Sequence, residues 1–195
     1  DMRIYLVTDE RLLLGKDLYR TVEAAVKGGV SMVQLREKES STREFVERAI
    51  RLKEVLTPYG VPLIINDRVD VALAADADGV HVGQSDMLYE MVKRLLPEGK
   101  IIGLSVESPE QVLEANNYDL DYVAASPVFS TTTKTNTIVE WGLDGLRWIR
   151  SVSRHPLVAI GGIHSNNVAS IFKAGADSVA VISAIVSADD PERAA

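Results

Sequence analysis

Eight short apolar runs, most of them rich in β-branched residues, recur along the chain, and each is followed by a stretch with helical periodicity. The runs are Ile4–Val7, Met32–Leu35, 63–65, Gly79–Val82, 101–104, Tyr122–Ala125, Leu157–Ile160 and Ser178–Val181. Most are almost continuously apolar, the pattern of strands covered on both faces rather than on one. Strict strand–helix alternation with no break in composition predicts a single (β/α)₈ TIM barrel, one domain over residues 1–195. A doubly wound open sheet ranks lower, because the strand count is eight and no dinucleotide-type glycine fingerprint follows the first run.

Local signals punctuate the helices. Ser41 and Glu44 form a capping box that opens a helix through Arg51, with Phe45, Ala49 and Leu52 on one face. Ser108, Pro109 and Gln111 open another in the order N-cap, N1, N3. Gly28, Gly29 and Gly175 stand where helices close in left-handed caps. The eighth helix is expected over residues 190–195, barely begun before the chain ends.

The net charge of −7 argues against a non-specific nucleic-acid or anionic-membrane surface, both of which need a basic face. It does not argue against phosphate ligands, which a few local cations and a metal can hold. The chain has no cysteine, which excludes disulfides, thiolate metal sites and cysteine nucleophiles and is compatible with a cytoplasmic protein. No apolar run is long enough to span a bilayer, and Asp1-Met2-Arg3 runs into a strand without a signal-peptide pattern.

Barrel enzymes place their chemistry just past the strands. After the second run, alternation points Gln34, Arg36 and Lys38 the same way. A guanidinium fork beside an ammonium suits diphosphate oxygens. The competing reading is a solvated charge run. Asp67 follows the third run and Asp86 the fourth, so the two carboxylates end neighbouring strands and can share a divalent cation. Oxygen ligands without cysteine or clustered histidine favour Mg²⁺. Each aspartate could instead cap the helix that follows it.

Ser105 closes the fifth run and could donate to a phosphate or to a ring nitrogen; a structural role is equally compatible. Residues 126–141 form a long aperiodic connection, beyond the ~2–6 residues usual in such barrels. Its Thr131, Thr132, Thr133 and Lys134 offer donors for phosphate, on a lid expected to order over ligand. Gly161-Gly162 after the seventh run and Ile182-Ser183 after the eighth fit the recurrent barrel phosphate site. His81, His155 and His164 are scattered and form no triad; His81 reads as a hydrogen-bonded barrel histidine. Trp141 and Trp148 read as packing residues.

These segments together resemble the thiamine-phosphate synthase family. The resemblance rests on YLVTD (5–9), QLREK (34–38), NDRVDVALAADADGVHVGQSD (66–86), GLS (103–105), DYVAASPVFSTTTK (121–134), VAIGGI (158–163) and GADSVAVISAI (175–185), in family order along nearly the whole chain. It implies a transferase that joins 4-amino-2-methyl-5-(hydroxymethyl)pyrimidine diphosphate to 4-methyl-5-(2-phosphoethyl)thiazole by a dissociative, Mg²⁺-dependent route. By the same resemblance Gln34, Leu35, Arg36, Glu37, Lys38, Asn66, Ser105 and Lys134 contact the pyrimidine diphosphate. Arg36, Lys38 and Lys134 then carry catalysis by steadying the leaving diphosphate. Asp67 and Asp86 hold Mg²⁺. Thr131, Thr132, Thr133, Gly162, Ile182 and Ser183 bind the thiazole phosphate. The partners implied are two small phosphorylated heterocycles; family members are often homo-oligomers, although no interface can be read from the chain.

The sequence departs from many relatives at Ser126, Ser130 and Glu107, which bear on details of pyrimidine contact. A thiazole tautomerase of the same fold, a non-catalytic thiazole-phosphate sensor and a phosphosugar isomerase are the competing readings. Only the synthase uses the full set of Asp67, Asp86, Lys38 and Lys134.

Overall fold

A computed structural model describes residues 4–130 and 140–195. Strands β1 (Ile4–Val7), β2 (Met32–Leu35), β3 (Leu63–Asn66), β4 (Gly79–Val82), β5 (Ile101–Val106), β6 (Tyr122–Ala125), β7 (Leu157–Ile160) and β8 (Ser178–Val181) pair in parallel and in chain order. β8 returns to β1 and closes the barrel. Helices α1 (Leu18–Gly28), α2 (Thr42–Leu56), α3 (Val69–Ala74), α4 (Tyr89–Leu95), α5 (Pro109–Ala115), α6 (Gly142–Val152) and α7 (Val168–Lys173) fill the crossovers. No described helix is long and apolar enough to cross a membrane.

The expected caps are present. Ser41 Oγ accepts from the Glu44 amide while the Glu44 carboxylate accepts from the Ser41 amide, and Ser108 caps α5. α2 runs on to Leu56, one turn past the expected end, because Leu52 and Leu56 continue its buried face. The end of the chain differs from expectation. A short helix α8 (Ser183–Val186) follows β8 directly, and α9 (Pro191–Ala194), capped by Asp190, comes after it and lies against α1. The four-residue α8 is too short to leave a periodic signature in sequence.

Strand alternation sorts side chains into two layers. Leu6, Val33, Leu35, Ile65, Val80, Leu104 and Val123 face the helices in the main core. Tyr5, Met32, Ile64, Tyr122, Val158 and Ala180 fill the barrel interior. At the N-terminal rim the barrel is clasped in a repeating way. The residue before each even-numbered strand sends its amide to the carbonyl near the start of the preceding odd strand: Ser31 to Ile4, Asp78 to Leu63, Asp121 to Ile102 and Asp177 to Leu157. Asp78, Asp121 and Asp177 return a second bond, each accepting the amide of that same partner through Oδ2 at 2.8 Å.

Candidate active site

At the C-terminal rim the strand ends open on a cavity of 880 Å³. Gln34, Asn66, His81, Ser105, Ile160 and Ile182 are the last inward residues of their strands or lie just past them, and all line it. Ser105 lies inside β5, one residue short of its end, so it reaches the cavity floor rather than a loop.

One side of the cavity is charged. Arg36 and Lys38 follow β2 and line it together, while Leu35 faces the outer core. Arg36 is held from behind: its Nη1 donates to Asp9 Oδ2 at 2.6 Å, and its amide donates to Thr8 Oγ1. The Glu37 side chain turns away and accepts from Arg48 and Ser40 at 2.7 Å each. Burial pushes the Glu37 carboxyl up, with those two donors working against it. Glu37 thus braces the segment against α2, and its own carboxylate does not line the cavity.

Neither aspartate caps a helix. The N-cap of α3 is Arg68 and that of α4 is Leu88, neither with a side-chain cap. Continued alternation from Asn66 would send Asp67 outward. Its backbone instead takes the left-handed conformation at φ 63, with its amide bonded to the His81 carbonyl, and its carboxylate lines the cavity. Aspartate tolerates this region better than most side chains. Asp67 Oδ2 accepts from Lys38 Nζ at 2.6 Å. Asp86 curls back so that its Oδ2 accepts the Gly83 amide at 2.7 Å. Burial, followed by the adjoining Asp67 carboxylate, raises the Asp86 carboxyl above the usual range. Two carboxylates therefore adjoin each other, and one of them, Asp67, also holds the Lys38 ammonium.

The opposite side is made of backbone. Gly161 and Gly162 after β7 adopt φ 100 and 64, and Asn167 Nδ2 donates to the Gly162 carbonyl at 2.8 Å. A Cβ at Gly161 would lie 2.7 Å from Pro127 Cβ, and one at Gly162 would lie 2.8 Å from Phe129 Cβ and from the Ser130 carbonyl oxygen. The β6 connection is laid across this turn: the Val128 and Phe129 amides bond to Ile160 and Gly161. Ile182 and Ser183 line the same end, where α8 begins; the Ile185 and Val186 amides are taken by the Ile182 carbonyl.

The structure thus brings Gln34, Arg36, Lys38, Asn66, Asp67, Asp86, Ser105, Gly162, Ile182 and Ser183 to one cavity. Thr131, Thr132, Thr133 and Lys134, with the proposed lid, lie outside the described residues. Ser126, Ser130 and Glu107 line the cavity as well, and Ser130 Oγ bonds Glu140 across the base of the loop. Sequence reasoning passed over Asp9, which stands just past the first strand and would have been found by reading that position too. It also passed over Tyr5, Tyr122 and Asn167; two strand tyrosines and a loop asparagine carry no linear signal.

Comparison with known proteins agrees over nearly the whole chain. The family model described as thiamine monophosphate synthase matches residues 4–185. The thiamine-phosphate synthase of Albidiferax ferrireducens is 52% identical, aligned over 97% of this chain and 87% of its own. That of Vibrio campbellii is 50% identical over 98% of this chain and 94% of its own. Among solved structures, a thiamine phosphate pyrophosphorylase from Pyrococcus furiosus superposes with a TM-score of 0.90 at 41% identity, covering 99% of this chain and 91% of the other.

Proposed function

Because the chain belongs to the thiamine monophosphate synthase family and is a transferase of thiamine biosynthesis, we propose that its cavity joins the pyrimidine diphosphate to the thiazole phosphate. The observation that carries this reading is the two-ended cavity: carboxylates and cations on one side, backbone amides and glycines on the other. A two-substrate coupling needs two separate anion sites facing one space. A cavity of 880 Å³ lies within the ~300–1,000 Å³ usual for small-molecule sites.

Asp67 and Asp86 would hold Mg²⁺. Among the described residues no cluster of three or more acidic or histidine side chains gathers as a metal site. Mg²⁺ suits such a pair, since it is usually held by one or two carboxylates with water and substrate phosphate completing the shell. Burial, then the adjoining Asp67 carboxylate, raises the Asp86 carboxyl even with Lys38 beside the pair, and a divalent cation would relieve both. When bound, the ion would neutralise charge on the departing diphosphate.

The residues of the chain do the rest. Arg36, pre-set by Asp9, would take diphosphate oxygens on its guanidinium fork, and Lys38 would turn from Asp67 to the same group. Lys134 would join them from the β6 connection. The bond between the pyrimidine methylene and the diphosphate oxygen breaks, and both electrons leave with the diphosphate. The thiazole nitrogen, held by its phosphate at Gly162, Ile182 and Ser183 with Thr131, Thr132 and Thr133, then gives its lone pair to that carbon. No protein nucleophile is needed. The tautomerase and sensor readings have no use for the acidic pair beside Arg36 and Lys38.

The direct test supplies both substrates with Mg²⁺ or with EDTA and follows thiamine phosphate by chromatography. Product in the first tube alone is expected. No product in either, with thiazole phosphate still bound, would move the assignment to the tautomerase or the sensor. A second prediction concerns the metal-free end. Gly162→Val, which puts a branched side chain at φ 64 and into Phe129 and Ser130, should weaken thiazole-phosphate binding on the order of tenfold or more. Unaltered affinity in calorimetry would place that phosphate elsewhere.

A further inference from the structure

Barrel interiors are usually filled by branched apolar side chains. Here a chain of polar groups crosses the interior instead. Gln34 Nε2 donates to Tyr5 Oη at 2.6 Å, Tyr5 and Tyr122 hydroxyls meet at 2.8 Å, and Tyr122 Oη meets His81 Nδ1 at 3.0 Å. His81 Nε2 then meets Ser105 Oγ at 2.8 Å. Both tyrosines and His81 are buried, and no buried side-chain polar atom among the described residues lacks a partner. Burial also pushes both tyrosine hydroxyls above their usual range, so both keep their protons.

Each tyrosine has one proton to give, and that orders the chain. Tyr5 accepts from Gln34, and among the described residues its other partner is Tyr122, so its proton goes there. Tyr122, having accepted, donates to His81 Nδ1. His81 therefore carries its proton on Nε2 and gives it to Ser105 Oγ. The Ser105 proton is left for the cavity, and at the other end so are Gln34 Oε1 and the second Gln34 N–H, since Tyr5 takes only one of the two amide protons. Reversing one member would require reversing all of them, because every interior group has one donor slot and one acceptor slot along the line.

We propose that the Gln34–Tyr5–Tyr122–His81–Ser105 relay sets the recognition polarity of the site: Gln34 presents an acceptor and Ser105 a donor to the pyrimidine ring. This rests on the reading above that Gln34 and Ser105 face that ring. The ligand selected is an amidine-like edge, an amino group beside an unprotonated ring nitrogen. A ring with an oxo group in place of the amino group presents the opposite pattern and is disfavoured, since it must draw on the second Gln34 N–H and the spare lone pair of Ser105. Tyr5, Tyr122 and His81 are positioning residues in this scheme; they act through Gln34 and Ser105.

The test measures binding, so that the electronics of the reaction do not enter. The probes are unreactive phosphonate-linked analogues of the pyrimidine diphosphate, one with the 4-amino group and one with a 4-oxo group. The full-length protein should bind the amino analogue roughly 100-fold or more tighter by calorimetry. Tyr122→Phe and Tyr5→Phe should each shrink that ratio about tenfold or more, chiefly by gaining the oxo analogue. Ser105→Ala added to Tyr122→Phe should change the ratio no further. Tyr5→Phe carries the test should Tyr122→Phe fail to fold. Parallel losses for both analogues with the ratio intact would mean that the tyrosines only support the fold, and would overturn the relay. If instead Ser105→Ala and Gln34→Ala leave both affinities untouched, the ring lies elsewhere, and the proposal falls with that premise.

Discussion

Asp86→Asn is expected to lower turnover on the order of 100-fold or more while leaving the barrel at least as stable as the parent. The activity loss follows from removing one of two carboxylates offered to a divalent cation that would supply several kcal/mol of charge stabilisation. The stability result follows from the raised carboxyl. A carboxyl whose pKa is higher folded than unfolded stabilises the fold only below its unfolded pKa, and that contribution is lost as pH rises through the folded one. At neutral pH an ionised Asp86 is therefore a liability in the metal-free protein. The asparagine keeps an oxygen for the Gly83 amide, which Asp86 Oδ2 now binds at 2.7 Å. Thermal melts in EDTA should show an equal or higher Tm for the variant, and steady-state rates at saturating Mg²⁺ should show the loss. A fall in Tm with activity kept would make Asp86 a structural turn residue and remove it from the metal.

Gly103→Ala should be strongly destabilising although it adds a single methyl group to the barrel interior. A Cβ there would lie 2.1 Å from Tyr122 Cζ and 2.3 Å from its hydroxyl. The fully buried ring stacks on His81 at a centroid distance of 5.5 Å and meets Tyr5 edge-on at 5.8 Å, so it has nowhere to retreat. Overpacking of this kind costs ~1–3 kcal/mol, and stranding the tyrosine hydroxyl adds a similar amount, giving about 2–6 kcal/mol in all. For a chain of this size that is a drop in Tm on the order of 10 °C. Denaturant melts would read it directly; a loss under ~1 kcal/mol would show that the ring can move.

The barrel was legible because its signal is distributed. All eight strands were found within two residues of their ends, and the capping residues Ser41, Glu44 and Ser108 announced their helices. The cavity-facing set was partly legible for a related reason: once strands are placed, period-two alternation points Gln34 and Arg36 inward. Asp67 shows where that logic stops. Its direction depends on a left-handed backbone conformation that no spacing reveals. Glu37 shows the converse, a charged residue inside a ligand-like segment whose carboxylate serves Arg48. The tyrosine–histidine line was invisible because its members come from β1, β2, β4, β5 and β6 and meet only after closure.

The repeated clasp at the N-terminal rim bears on how this molecule tolerates change. Residues 31, 78, 121 and 177 each tie an even strand to the odd strand before it, so the cylinder is riveted at one lip as four successive strand pairs. Charge-assisted bonds of this type are worth ~1.5–3 kcal/mol each, and three of the four ties include one. The ligand-facing lip stands a full strand length away. Mechanical integrity and chemical identity thus occupy opposite ends of one tube, which leaves the reactive lip free to be rewritten, residue by residue, without loosening the rivets.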